Sequence, residues 1–115
     1  MAQYLVLIYE DETAWEKADA ETARRIMGDH RGFTEDHRAE LRGGNALEPT
    51  GMATSVRRDQ AGRVTVTDGA FVETKEALGG YYVIEAADLD QALAVAKEVP
   101  APFGGVEVRP VRTIG

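Results

Sequence analysis

Only two stretches of this sequence space their apolar residues like a helix, whereas five read as strands, and that imbalance limits the folds open to it. Tyr4–Tyr9 (YLVLIY) is a continuous β-prone run, the pattern of a strand buried on both faces. Asp11–Asp19 is acidic and irregular and leads into a helix. From Ala20 to about Leu41 the apolar positions Ala23, Ile26, Met27, Phe33 and Leu41 return to one helical stripe. Gly28 and Gly32 weaken that helix by ~1 kcal/mol each, so packing must hold it, and Gly43-Gly44 is expected to end it. Met52–Arg58 and Arg63–Thr67 alternate in period two around the turn-rich Asp59–Gly62, which predicts a hairpin. Gly79–Ala86 (GGYYVIEA) reads as a further strand. Asp88 is an N-cap with Gln91 placed as in a capping box. Leu89, Ala92, Leu93 and Ala96 then give a short helix its buried stripe, and the helix stops before Pro100. Val106–Arg109 (VEVR) alternates as a final edge strand.

The order is β-α-β-β-β-α-β, or β-α-β-β-α-β with the hairpin arms taken as one extended element. The fold class is α+β, because two helices can shield only one face of an antiparallel sheet. No segment remains for the other face. A second copy packing against it, a homodimer, is the economical expectation.

With 115 residues the chain suits a single domain, 1–115. It has no cysteine, which removes disulfides, thiolate metal sites and cysteine nucleophiles. The formal net charge is −7, and the one tight basic pair, Arg57-Arg58, is followed at once by Asp59. Such a surface repels phosphate backbones, so nucleic acid is not an expected partner. Met1–Glu10 has no basic start and no small-residue cleavage site. Apolar runs fall far short of the about 20 residues that span a bilayer. These features predict a cytoplasmic protein with no membrane association. Dinucleotide, Walker, serine-hydrolase and zinc-protease motifs are missing from the sequence.

Between the hairpin and the next strand, Asp68–Glu76 brings four ionisable groups, Asp68, Glu73, Lys75 and Glu76, together with Phe71 and Val72. Long ordered connections of this kind are usually functional. Thr67 through Tyr82 (TDGAFVETKEALGGYY) resembles the signature of the YCII-related family in its DGPF branch, roughly T-D-G-P-F-x-E-T-K-E-x-L-G-G-Y-Y. Ala70 stands where that pattern has proline, which frees the backbone at Asp68–Phe71. The opening YLVLIYE, Phe33–Glu35, Gly43-Gly44, Asp88–Ala92 and the closing Val106–Val111 are similar too, so the resemblance spans nearly the whole chain. It implies a ferredoxin-like fold, β-α-β-β-α-β with an extra hairpin, whose chains pair their sheets into a dimeric α+β barrel. No cofactor is expected. The resemblance also implies small-molecule lyase or hydrolase chemistry for part of the wider group, run by a helix histidine with an aspartate. For members beside sigma-factor genes it implies a regulatory role.

Ile26, His30, Phe33 and His37 step by four, three and four, which puts both histidines on the inward stripe of their helix. A histidine there titrates near neutral pH, as a general base requires. The wider group's catalytic histidine corresponds to His30, although the DGPF branch often has an aromatic there. The catalytic expectation is therefore His30 with Asp68; the plainer one is a core histidine with one hydrogen bond, and an Asp-Gly turn at Asp68. Gly69 is expected to hold a positive φ. Glu73, Lys75, Glu76 and Tyr82 are the expected contacts to a small polar ligand. Tyr81 and Tyr82 should face opposite sides of their strand. Trp15 should anchor the acidic connector, and His37 should sit half-exposed or near the dimer interface. His30 and His37, ~10 Å apart along the helix, are too far apart to share an ion, so no metal is expected. The sequence supports three readings: proton-transfer chemistry (lyase, isomerase or hydrolase) on a small molecule, non-catalytic regulation through a bound ligand or partner, or a plain structural dimer in a larger assembly.

Overall fold

The computed structural model describes residues 1–113. Strand β1 (Ala2–Asp11) alternates rather than being buried throughout: Tyr4, Val6 and Ile8 are in the core, while Leu5, Leu7 and Tyr9 are half-buried on the opposite face. Helices shelter only one side of the sheet, so a continuous apolar run here does not mean two covered faces. The acidic connector is also more ordered than its composition suggests. It forms helix α1 (Glu12–Lys17), whose N-cap Asp11 accepts from the Thr13 N–H. The Glu12 carboxylate accepts from both the backbone N–H and the hydroxyl of Thr50, tying α1 to a short 3₁₀ turn at Thr50–Met52.

Helix α2 (Ala20–Asp36) begins at Asp19, whose side chain accepts from the Thr22 N–H at 2.7 Å. It ends earlier than its stripe predicts, at His37, because turn bonds from Glu40 and Leu41 back to the His37 carbonyl reverse the chain. Gly43-Gly44 therefore does not stop the helix. It lies within strand β2 (Leu41–Ala46), an element the sequence reading missed. A Cβ on Gly44 would come within 2.7 Å of the Tyr81 carbonyl, so a strand lying this close to its neighbour needs glycine there.

Strands β3 (Thr54–Arg58) and β4 (Val64–Asp68) form the expected hairpin, with Gly62 at φ 85° in its turn. They make a separate two-stranded ribbon. Strand β5 (Glu76–Ala86) starts three residues before the expected Gly79 and shortens the preceding loop to 69–75. Helix α3 (Leu89–Ala96) has its N-cap bond from Gln91 N–H to Asp88, and the Gln91 side chain reaches back to the Ala87 N–H. Its buried stripe is Ala92, Val95 and Ala96; Leu89 and Leu93 face outward, because the sheet meets the helix one step round from the predicted face. Strand β6 (Gly104–Pro110) is the expected edge.

The main sheet runs β2-β5-β1-β6 with every neighbouring pair antiparallel. With α2 and α3 over one face, this is the ferredoxin-like arrangement. The core gathers Tyr4, Val6, Ile8, Phe33, Ile84, Ala86, Ala92, Val95, Ala96 and Val99 between helices and sheet. The register of β1 against β5 shifts between Ile8 and Tyr9, and at that bulge β6 enters with Gly104. A Cβ on Gly104 would lie 1.9 Å from the Tyr9 carbonyl, while one on Gly105 would meet nothing. Gly104→Ala is expected to cost about 3 kcal/mol, the upper end of overpacking, because the obstacle is backbone. Gly105→Ala should change stability by under about 0.5 kcal/mol. Urea unfolding of the pair checks this.

Candidate functional site

The core face of β1 continues from Tyr4, Val6 and Ile8 to Glu10, a carboxylate with 6% of its surface exposed. It is the only buried charged residue among those described. Burial of a carboxylate is tolerable only with hydrogen-bond donors, and two are present: Trp15 Nε1 at 3.1 Å and the Phe103 N–H at 3.0 Å. The Trp15 and Phe103 rings meet edge to face at 5.4 Å. Trp15 thus anchors the connector, as expected, and Glu10 is the post it is tied to.

Next to this post, α2 presents His30 and β5 presents Tyr82. His30 Nδ1 and the Tyr82 hydroxyl are 2.7 Å apart, and their rings stack at 5.9 Å. Phe33 packs on Tyr82 at 4.9 Å and holds it from the helix side. Burial holds His30 below its ordinary range; Glu10, Asp29 and a hydrogen bond to the Pro100 carbonyl oppose this without overcoming it. Burial likewise pushes the Tyr82 phenol up, against a smaller opposing hydrogen bond with Thr34. Both groups are therefore neutral near pH 7. A neutral phenol and a neutral imidazole can make this contact with either as donor, according to the ring's tautomer. The pair is a short hydrogen bond between two neutral, half-buried groups.

A cleft of about 370 Å³ lies along the same helix, lined by Gly28, Asp29, Gly32, Phe33, Asp36, Glu98 and Pro100, with neither His30 nor Tyr82 on its wall. Pro100 borders both the cleft and the His30 ring. The two glycines make room for it. Neither has a positive φ, a Cβ on Gly32 would touch nothing, and one on Gly28 would touch only the Arg31 side chain. The helix thus forgoes ~1 kcal/mol at each position with no steric need. Three carboxylates on the wall favour cationic or neutral polar ligands over anions.

The other expected site residues lie apart from this pair. Asp68 ends β4, and among the described residues its side chain makes no hydrogen bond or ion pair, with His30 or anything else. Gly69 has the expected positive φ of 97°. Glu73 and Lys75 are exposed in the loop. Glu76 opens β5 and lines a second concavity of about 480 Å³ with Tyr9, Gly105, Val106 and Glu107. Tyr81, on the face away from the helices, accepts a hydrogen bond from Asn45. His37 is not half-exposed: its side chain is 12% accessible, its ring tilted against Phe33 between Glu40 and Glu98. The turn after α2 folds it inward. Among the described residues no three histidines or carboxylates converge as metal ligands would, and no helix is long and apolar enough to cross a membrane. Glu10 escaped the sequence reading, although its place in the alternating series Tyr4, Val6, Ile8, Glu10 was a signal for it.

A small antiparallel α+β sheet with a histidine–tyrosine pair beneath one helix defines a class of ferredoxin-like domain with a helix-side pocket. The chain belongs to the YCII-related family: the YCII-related domain matches residues 2–114. It is 38% identical over 115 residues to an uncharacterised protein of Rhizobium meliloti (strain 1021), an alignment covering 94% of this chain and 90% of that one.

Because the folded state resists protonating His30, the unfolded chain, with an ordinary histidine near pKa 6.5, takes up the proton first as pH falls. His30 should therefore subtract stability below about pH 6.5 and be silent above it. Urea unfolding of wild type and His30→Gln between pH 5 and 8 should show a shallower acid-side decline in the variant.

Proposed function

We propose that this chain is a small-molecule-binding protein of the DGPF branch that uses the His30–Tyr82 pair to move a proton in lyase, isomerase or hydrolase chemistry. The carrying observation is the 2.7 Å contact between two half-buried, oppositely shifted groups, with an open cleft along the His30 helix. Tyr82 serves as proton donor and His30 as the base that receives or returns the proton. Asp68, Glu73, Lys75 and Glu76 lie apart from this pair and are proposed as polar contacts at a separate, loop-side position, Glu76 on the wall of the second concavity. The DGPF assignment rests on Thr67–Tyr82.

A second reading has its own support. His30 Nδ1 is held by the Tyr82 hydroxyl and the ring is half-buried, as a structural clamp over a regulatory ligand would require. The two readings share the cleft and differ in turnover.

Thermal-shift screening of small polar and cationic metabolites separates these ideas from an idle cleft. A true ligand at one hundred times its Kd should stabilise wild type by about 2.7 kcal/mol. Gly32→Ala should raise the basal Tm through about 1 kcal/mol of helix stability and yet blunt the ligand's effect. Tyr82→Phe should leave binding detectable and abolish any conversion of the ligand seen by NMR. Hits that stabilise wild type and Gly32→Ala equally would remove the cleft from the proposal.

The chain is also proposed to work as a homodimer through the uncovered face of its sheet, where Leu5, Leu7, Tyr9, Tyr81 and Val83 lie in register. Sedimentation velocity at micromolar concentration should give twice the 12.5 kDa chain mass, and a monomer there would end the pairing proposal.

A further inference from the structure

The β3–β4 ribbon is stranded. Its strands have five residues each, and every one of them except Ser55 is exposed. Val56 pairs directly with Val66, and with Val64 they form one apolar face, exposed by 57%, 64% and 48%. Among the described residues no hydrogen bond joins residues 54–67 to the main sheet; the ribbon is closed at its own root by Gly69 N–H to the Ala53 carbonyl and the Ser55 hydroxyl to the Gly69 carbonyl. A two-stranded hairpin is at best marginally stable alone in water, and an exposed valine face makes it less so. The arm also spreads the molecule: the radius of gyration is 16.2 Å where a compact chain of this length would have about 13 Å, and one dimension is only 18 Å.

Charge says what kind of surface should cover it. Residues 54–67 carry Arg57, Arg58 and Arg63 against Asp59, a net +2, which leaves −9 on the rest of a −7 chain. Asp59 is already held by Arg63 at 3.1 Å. Arg57 lies 4.3 Å over the Phe71 ring, so the exposed Phe71 moves with the arm. A cationic ribbon with an apolar face suits an acidic body that has an apolar sheet face of its own. This chain supplies such a body.

We propose that the β3–β4 ribbon, with Phe71, is an arm that docks on the body of a second copy and carries Asp68 at its root to the junction between the chains. Asp68 then belongs to a composite crevice, which accounts for its lack of any partner within its own chain. This rests on the homodimer reading above and gives it a specific grip. By symmetry each chain lends one arm and receives one.

The test uses the full chain as Val56→Asp/Val66→Asp, positions whose side chains face solvent in the protomer, so far-ultraviolet circular dichroism should remain that of wild type. Sedimentation equilibrium is expected to show the dimer weakened by at least about tenfold. Hydrogen exchange of wild-type amides in 54–58 and 64–68 is expected to slow as concentration rises through the dimer Kd. A double variant that dimerises as tightly as wild type, with ribbon amides exchanging quickly at every concentration, would overturn the arm and leave sheet pairing intact. A monomeric wild type would overturn the homodimer reading itself. Ribbon amides protected at all concentrations, monomer included, would place the arm on its own body and overturn the exchange.

Discussion

The antiparallel pairing of β1 with β5 sets almost everything else in this molecule, because it decides which residues the two helices can reach. Its register places Tyr4 opposite Ile84 and Val6 opposite Tyr82 on the covered side, and Leu5 opposite Val83 and Leu7 opposite Tyr81 on the other. A slip of β5 by one residue would exchange its two faces, turning Tyr82 to the uncovered side and leaving His30 over the wrong side chain. The bulge at Ile8/Tyr9 and the glycine at 104 are the local adjustments that let β6 close against β1 under that register.

On the covered side, a charged group does structural work that an apolar residue could not. Glu10 accepts from an α1 side chain and from the backbone N–H of Phe103, so one carboxylate joins β1, the connector helix and the approach to β6. Its negative charge also bears on His30, where it favours protonation, yet desolvation prevails and the imidazole stays neutral. Neutrality leaves either partner in the contact with Tyr82 able to donate. The cleft along α2 exists because the helix carries glycine at two positions where alanine would fit and favour the helix. Stability is given up there for open volume, which is the pattern expected at a binding site.

Much of the architecture was legible from periodicity and end signals. The hairpin around Asp59–Gly62, the Asp88 cap with Gln91, the edge strand at Val106–Arg109 and the opposite orientations of Tyr81 and Tyr82 are local features, and local rules found them. Strand β2 was invisible because LRGGNA lacks β-branched and aromatic residues; it is a strand only because β5 offers it an open edge. The end of α2 was misplaced because the stripe Phe33, His37, Leu41 continues through a turn that side-chain spacing cannot distinguish from helix. In α3 the spacing was right and the face was wrong, since the angle at which a helix meets a sheet is a property of both partners.

The site shows the same division. His30 could be placed on an inward stripe from its spacing to Ile26 and Phe33, and Tyr82 could be set apart from Tyr81 by strand alternation. Their meeting, across 52 positions of sequence, depends on α2 crossing β5 and is a tertiary fact. The sequence by itself determined the fold class, the family, the glycine at φ 97° after Asp68 and the presence of a sheet face with nothing to cover it, because these follow from residue type and short-range spacing. Only the tertiary structure decided that Glu10 would be buried, that His30 would find a phenol instead of Asp68, and that the ribbon would stand clear of its own body. Burial, desolvation and pairing over long separations arise from the packed chain as a whole, and no run of neighbouring residues encodes them.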